Sequence, residues 1–92
     1  MTTQSLAGRT RAKFQLKADK GKNVFVAGTF NGWDPKKNKM KFEDGIYKTS
    51  VLVTKGRHEY KFVVDGVWSI DPECEDWVTN DHGSLNSVIV VM

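Results

Sequence analysis

The chain has 92 residues, enough for one domain with a modest core and too few for an enzyme with a cleft between two domains. Hydrophobic residues make up 39% and charged residues 27%, which is typical of a folded globular chain. No apolar run approaches the roughly 18 residues of a membrane span, so no membrane partner is expected.

The formal charge of +3 is unevenly divided, since residues 1–61 carry +9 and residues 62–92 carry −6. A basic half is one feature of proteins that bind nucleic acids. Here the bases alternate with apolar residues over several strands, which is typical of a solvated sheet face. We therefore expect no nucleic-acid partner, and we keep nucleic-acid binding as the least favoured alternative.

Residues 11–18 alternate between polar and apolar side chains and predict a strand with one solvated face. Residues 24–27 are apolar throughout and predict a central strand covered on both faces. Turn signals separate the other predicted strands, at 40–42, 46–53, 58–64, 67–69 and 87–91. With no helical pattern to cover them, about seven strands predict an all-β fold of two packed sheets.

The hairpin around Asp65-Gly66 is predicted in more detail, because a two-residue turn fixes the strand register. Val63 then lies opposite Trp68. Since side chains alternate along a strand, Phe62 is predicted on the core face, and Lys61 shares the outer face with Trp68. An indole beside an ammonium group on an outer sheet face indicates a binding role.

Trp33 lies between Phe30-Asn31-Gly32 and Asp34-Pro35, a composition typical of a loop. Two interpretations remain open for its side chain: a hydrophobic plug at one end of the sandwich, or an exposed platform. A flat indole suits the apolar face of a sugar ring, while nearby amides and ammonium groups hydrogen-bond the sugar hydroxyls.

The residue patterns of catalytic sites are missing from the sequence. His58 and His82 have no nucleophile and no further metal ligands at a usable spacing. The acids of residues 71–76 crowd one solvated loop, without the apolar surroundings that an acid–base pair needs. Cys74 lies among these acids, which is the opposite of the environment of a reactive thiol. No enzyme activity, metal or cofactor is expected.

A resemblance emerges from Phe30-Asn31-Gly32-Trp33, the hairpin 60–68, Asp71-Pro72 and the segment 83–88, taken together and in order. Over residues 11–91 the chain resembles the glycogen-binding domain of the AMP-activated protein kinase β subunit. More broadly, it is similar to family 48 carbohydrate-binding modules, which are isoamylase-type early-set domains. The resemblance implies an immunoglobulin-like β-sandwich that binds α-1,4-linked glucans, such as glycogen, starch or malto-oligosaccharides, without catalysis.

The resemblance also implies the residues of the carbohydrate-binding site. Trp33 and Trp68 would be the stacking platforms, Lys61 and Asn86 the hydrogen-bonding groups, and Ser84 a smaller polar contact where the kinase domains have threonine. Asn86 either offers its amide to two neighbouring hydroxyls or mainly holds its loop.

Two departures from the kinase pattern concern the edge of this predicted site. His82 takes the place of a leucine that contacts the glucan in the kinase domains, so the resemblance places His82 among the carbohydrate-binding residues and leaves open how the glucan is clasped. Trp77 has no aromatic counterpart there. We expect Trp77 to pack under its loop, with an extended stacking surface as the alternative.

Residues 1–10 are expected to form a flexible N-terminal arm and residues 11–92 the binding domain. A single cysteine and the lack of a signal-peptide pattern predict a reducing, cytoplasmic location. The expected partners are an α-glucan and a kinase or glycan-metabolising enzyme. The main alternative is a protein-interaction module that uses an exposed sheet edge or the acidic loop. Nucleic-acid binding is disfavoured further because no single basic strip runs through the aromatic residues.

Overall fold

A computed structural model describes residues 8–92, and every regular element in this part of the chain is a strand. The all-β prediction is therefore confirmed. The strands are β1 Arg9–Lys17, β2 Val24–Gly28, β3 Asn38–Lys39, β4 Lys41–Glu43, β5 Ile46–Thr54, β6 Gly56–Val64, β7 Val67–Ser69, β8 Trp77–Thr79 and β9 Leu85–Val91. No helix in this part is long and apolar enough to cross a membrane.

The described residues form nine strands, compared with about seven predicted, because two short strands lack an alternating or apolar sequence pattern. β3 has two residues and β8 has three, and both are held by pairing with a longer neighbour. At the N-terminus, residues 1–7 of the predicted arm lie outside the described residues. Arg9 and Thr10, the last described residues of that arm, belong to β1.

Two sheets make up the sandwich. One has three strands in the order β1-β5-β4, and the other has six, in the order β3-β2-β6-β9-β8 with β7 paired to β6. β1 alternates as predicted, with Ala12, Phe14 and Leu16 buried between exposed polar neighbours. β2 is buried along most of its length and is paired on both sides, which confirms its predicted central position.

The core between the sheets is built on aromatic side chains. Phe62 is fully buried in β6, and Tyr60 and Phe14 are each 2% exposed. The rings of Phe14 and Tyr60 meet edge to face with their centroids 4.9 Å apart, and Phe30 packs 5.3 Å from Phe14. These contacts join β1 of the small sheet to β6 of the large one, which fixes how the two sheets face each other.

Both predicted hairpins are formed by turns in which the aspartate and the glycine have positive φ. The angles are 52° and 83° for Asp44 and Gly45, and 48° and 84° for Asp65 and Gly66, as in a type I′ turn. The second turn sets the predicted register, with Val63 opposite Trp68.

The edge of β6 away from β2 is shared by two partners. β9 pairs with residues from Gly56 to Tyr60, and β7 pairs with residues from Phe62 to Val64. Lys61 lies at the junction between them. The chain that leaves β7 and returns at β9 must therefore loop around this point, and that connection forms one wall of the site described below.

The first part of this connection is anchored to the core. The Tyr60 hydroxyl donates to Asp71 Oδ2 at 2.7 Å, and the Asp71 backbone N–H donates to Ser87 Oγ at 2.9 Å. Burial, together with the Asp71 carboxylate, raises the pKa of the Tyr60 hydroxyl above its ordinary value, so Tyr60 stays a neutral donor.

Replacing Phe62 by alanine is expected to destabilise the fold by about 3–5 kcal/mol, because it leaves a cavity at the centre of the core. Urea unfolding of the wild type and the variant measures this difference. Val67→Ala is the control on the same hairpin, since Val67 is 66% exposed and its truncation should change little. Equal stability of Phe62→Ala and the wild type would show that the core is assigned to the wrong face.

Candidate functional site

An open groove of about 720 Å³ lies on the outer face of the six-stranded sheet. It is lined by side chains from β6, β7, β8 and β9 and from two loops, namely Thr29, Trp33, Glu59, Lys61, Trp68, Val78, Thr79, Asn80, Asp81, His82, Ser84 and Asn86. All six residues predicted to bind carbohydrate, which are Trp33, Lys61, Trp68, His82, Ser84 and Asn86, are among them. The fold thus brings residues separated by up to 53 positions in sequence into one surface.

Trp33 is held at the groove by a loop that folds back on β2. Its backbone N–H donates to the Gly28 carbonyl at 2.9 Å, and its φ of 61° is in the left-handed region. The Asn31 side chain fastens the loop by accepting from the Gly28 N–H at 3.0 Å and donating to the Val26 carbonyl at 3.0 Å. Trp33 is half-buried there and lines the groove. It therefore combines features of the plug and the platform interpretations.

Trp68 and Trp77 are both exposed but face different surfaces. Trp68, on β7, is 43% exposed and lines the groove. Trp77, on β8, is 56% exposed, so the expectation that it packs under its loop is wrong. Trp77 lies opposite Ser87 on β9, and Ser87 lies opposite the core residue Tyr60 on β6, so Trp77 is on the core-facing side of the sheet and not on the groove side. Trp77 consequently does not extend the groove.

Lys61 and Ser84 meet in the groove from two directions. Lys61 is half-buried at the junction on β6, and its Nζ donates to Ser84 Oγ at 2.8 Å. Ser84 precedes β9 and belongs to the loop of residues 80–84. The ammonium group has three N–H donors, so two of them remain for other acceptors or water.

Asn86 is 5% exposed and is hydrogen-bonded within the protein at both ends of its amide. Its Nδ2 donates to Glu59 Oε1 at 2.9 Å, and its Oδ1 accepts from Asn80 Nδ2 at 3.2 Å. Of the two roles left open by the sequence, holding the loop agrees better with these contacts. One N–H of Asn86 and one lone pair of its oxygen are left over.

Glu59 is a groove residue that sequence reasoning missed. Its carboxylate accepts from Asn86 Nδ2 on one oxygen and from Arg57 Nη1, at 2.8 Å, on the other. The Asn86 hydrogen bond, followed by that of Arg57, lowers the pKa of Glu59 below its ordinary value of 4.5. A usable signal was present, because Glu59 and Lys61 are two positions apart and share a face of β6.

Asn80 is the second missed residue, and it organises the loop at the groove's edge. Its Oδ1 accepts from the backbone N–H groups of His82 at 2.9 Å and of Ser84 at 3.1 Å. Its Nδ2 donates to Ser84 Oγ at 2.8 Å and to Asn86. His82 itself is exposed on this loop. Nothing in the sequence pointed to this role of Asn80, because an asparagine in a turn is common.

Among residues 8–92, no group of three or more His, Cys, Asp or Glu side chains is close enough to hold a metal ion. Cys74 is half-buried, and its Sγ lies 3.2 Å from the carbonyl oxygens of both Asp76 and Val88, which share its single S–H donor. What the groove offers a ligand is the aromatic surface of two tryptophans and the hydrogen-bonding groups of charged and neutral polar side chains.

Comparison with known proteins assigns the chain to a family. The family model described as the glycogen recognition site of AMP-activated protein kinase matches residues 10–92, and the chain belongs to this family. Its predicted resemblance is thus confirmed.

Individual relatives agree with this assignment. The chain is 41% identical over 71 residues to human 5′-AMP-activated protein kinase subunit beta-2, covering 77% of this chain and 25% of the relative. It is 37% identical to the pig beta-1 subunit over 71 residues, 77% of this chain and 56% of the relative. It is 39% identical to the chloroplastic PTST homolog 2 of Arabidopsis thaliana over 49 residues, 53% of this chain and 9% of the relative. The chain thus spans between 9% and 56% of the length of these relatives.

The lowered pKa of Glu59 predicts a pH-dependent contribution to stability. Because the ionised form is favoured in the folded state, this contribution is complete above pH 4.5 and is lost as pH falls through the lowered pKa. Glu59→Gln should therefore lower the melting temperature at pH 7, and its difference from the wild type should shrink at pH 3. Glu43→Gln, at an exposed position of β4, serves as the control. The same difference at both pH values would show that ionisation of Glu59 does not support the network.

Proposed function

We propose that this chain binds α-1,4-linked glucans, such as glycogen, starch or malto-oligosaccharides, and catalyses no reaction on them. The observation that carries the proposal is the convergence of two tryptophans, a lysine ammonium and a serine hydroxyl in one open groove. Membership of a glycogen-recognition family supports the same ligand.

Sugars require both kinds of surface that the groove provides. The C–H face of a pyranose ring is apolar and packs on an indole, for which Trp33 and Trp68 are available. Its hydroxyls are donors and acceptors together, and Lys61 and Ser84 lie at the same groove. Each contact replaces hydrogen bonds to water by similar ones to protein, so we expect a net gain of only about 1 kcal/mol for each hydrogen bond and a modest affinity.

The electrostatics of the groove support binding without catalysis. Glycoside hydrolysis uses a carboxylic acid whose pKa is raised so that it can donate a proton at neutral pH. The pKa of Glu59 is shifted in the opposite direction, so its carboxylate is ionised at neutral pH and unsuited to act as a general acid. Asp81 is exposed on the loop of residues 80–84. Nucleophilic catalysis by Ser84 would need an adjacent base, whereas its partners are two N–H donors.

We further propose that the domain targets a longer protein to glucans, since the matched segment makes up only 25% of the human kinase beta-2 subunit. A kinase or glycan-metabolising enzyme is the partner class that this proposal implies. The cytoplasm is the proposed compartment. The single cysteine, Cys74, is a free thiol that is hydrogen-bonded to backbone carbonyls, and free thiols are typical of a reducing compartment. The chloroplastic relative makes a plastid the alternative.

A second candidate function, protein interaction, is favoured by the other side of the sandwich. The outer face of the three-stranded sheet gathers six basic side chains, namely Arg9, Arg11, Lys13, Lys17, Lys41 and Lys48. The ion pairs among the described residues, Lys22–Asp65 and Arg57–Glu59, involve none of them. Lys41 lies directly opposite Lys48, a like-charge pair that costs stability. Among residues 8–92, no aromatic side chain lies on this face for bases to stack on, so the face supports an acidic protein surface over single-stranded nucleic acid.

Trp33→Ala and Trp68→Ala are each expected to weaken maltoheptaose binding about tenfold or more, because each removes a stacking surface. Isothermal titration measures the affinity, and thermal unfolding is recorded for every variant. Trp77→Ala is the matched control, since Trp77 is the more exposed side chain but lies outside the groove. Titrations at low and high salt should agree, because a neutral sugar releases no condensed counterions.

Several outcomes would contradict the proposal. Equal losses for Trp77→Ala and Trp68→Ala would show that the groove is not the binding surface. Unfolding of Trp33→Ala would contradict the proposed role of Trp33 as a stacking platform, and the loss of binding in Trp68→Ala would then decide whether the groove binds the sugar. Binding to single-stranded DNA that collapses at high salt, without binding to glycogen, would replace the proposed function by nucleic-acid recognition.

A further inference from the structure

The Asn80 amide has one possible orientation in its network. Backbone N–H groups can only donate, so the amide oxygen must face the nitrogens of His82 and Ser84, at 2.9 and 3.1 Å. The NH₂ group is thereby directed to Ser84 Oγ at 2.8 Å and to Asn86 Oδ1 at 3.2 Å. Both donors and both lone pairs of the amide are used within the protein.

This orientation decides the direction of the hydrogen bonds at Ser84. A hydroxyl has one donor and two lone pairs. Lys61 Nζ, which can only donate, approaches Ser84 Oγ at 2.8 Å, and Asn80 Nδ2 approaches the same oxygen at 2.8 Å. Both lone pairs of Ser84 are therefore occupied, and its O–H proton is left without an acceptor among these partners. Since Ser84 is exposed and lines the groove, that proton is available to a ligand.

The orientation of the Asn86 amide follows from that of the Asn80 amide. Asn86 receives its hydrogen bond on oxygen, so its nitrogen faces Glu59, whose ionised carboxylate can only accept. The groove therefore presents donors at Lys61 and Ser84, and unused carboxylate lone pairs at Glu59. The donor and acceptor in each of these hydrogen bonds are set by the Asn80 amide, which is itself oriented by the backbone N–H groups that it accepts from.

We propose that Asn80 is the positioning residue of the groove, holding Ser84 as a hydrogen-bond donor toward a hydroxyl or ring oxygen of the glucan. The proposal rests on the proposed function and adds to it the direction in which the site bonds its ligand. Asn80 acts through Ser84, so its effect on binding depends on the hydroxyl of that residue.

Asn80→Asp tests this direction with little change of shape. A carboxylate can still accept from the backbone N–H groups of His82 and Ser84, so the loop keeps its cap. Toward Ser84 Oγ, however, it can only accept, so the hydroxyl proton turns inward and is lost to the ligand. Asn86 Oδ1 also loses the N–H that it receives from Asn80, and thermal unfolding of the variant reports this loss separately from binding. We expect maltoheptaose affinity to fall about fivefold, close to the value of one hydrogen bond. Gln15→Glu, at an exposed position of β1 on the other sheet, controls for the added charge.

A double-mutant cycle with Ser84→Ala separates positioning from a general structural role. Ser84→Ala alone should also weaken binding about fivefold, because it deletes the donor. In the Ser84→Ala background, Asn80→Asp should cause a clearly smaller loss, since the hydroxyl through which it acts on the ligand is gone and only the change at Asn86 remains. Should Asn80→Asp fail to fold, Asn80→Ala is the second variant. It removes the cap that holds Ser84 in place, so its loss should likewise be smaller in the Ser84→Ala background.

The outcomes are distinguishable from those that test the proposed function. Unchanged affinity in Asn80→Asp or in Ser84→Ala would overturn the inference, and so would losses that simply add in the double variant. If these variants bind normally while Trp68→Ala loses binding, the inference alone fails. If the wild type does not bind maltoheptaose, the proposed function fails and the inference falls with it.

Discussion

The alternation of side chains along β6 is the constraint on which both the fold and the groove depend. One face of this strand carries Tyr60 and the fully buried Phe62 into the core, and the other carries Glu59 and Lys61 to the groove. A shift of one residue in its pairing would exchange the two sets and place charged groups in the core, so the register is strongly specified. The Asp65-Gly66 turn and the pairing with β2 hold that register.

The divided edge of β6 explains where the site lies. Because β9 pairs up to Tyr60 and β7 begins at Phe62, the connection between them encloses Lys61 and brings the loop of residues 80–84 over it. A polar network then runs from Arg57 through Glu59, Asn86 and Asn80 to Ser84. Buried polar groups need partners, and this network supplies them while leaving selected donors and acceptors at the surface.

The features that could be predicted from the sequence are those set by residues close together in the chain. Strand alternation and Asp-Gly turns are local, so the core face of β6 and the Val63–Trp68 pair were predictable. β8 was not, because three residues in an acidic segment become a strand only by pairing with β9. The expected packing of Trp77 was wrong for the same reason, since that pairing directs its side chain to the face opposite the groove, where it remains 56% exposed. The roles of Asn80 and Asn86 depend on contacts across the groove that no spacing in the sequence reveals.

We propose that a glucan binds in the groove on the six-stranded sheet. Amide and indole chemical-shift mapping of the isotopically labelled protein during titration with maltoheptaose locates the binding surface. Binding in the groove should cause the largest changes at Trp33, Lys61, Trp68 and Ser84, including the indole N–H signals of the two tryptophans. Changes confined to the outer face of the three-stranded sheet, with these four residues unperturbed, would contradict it.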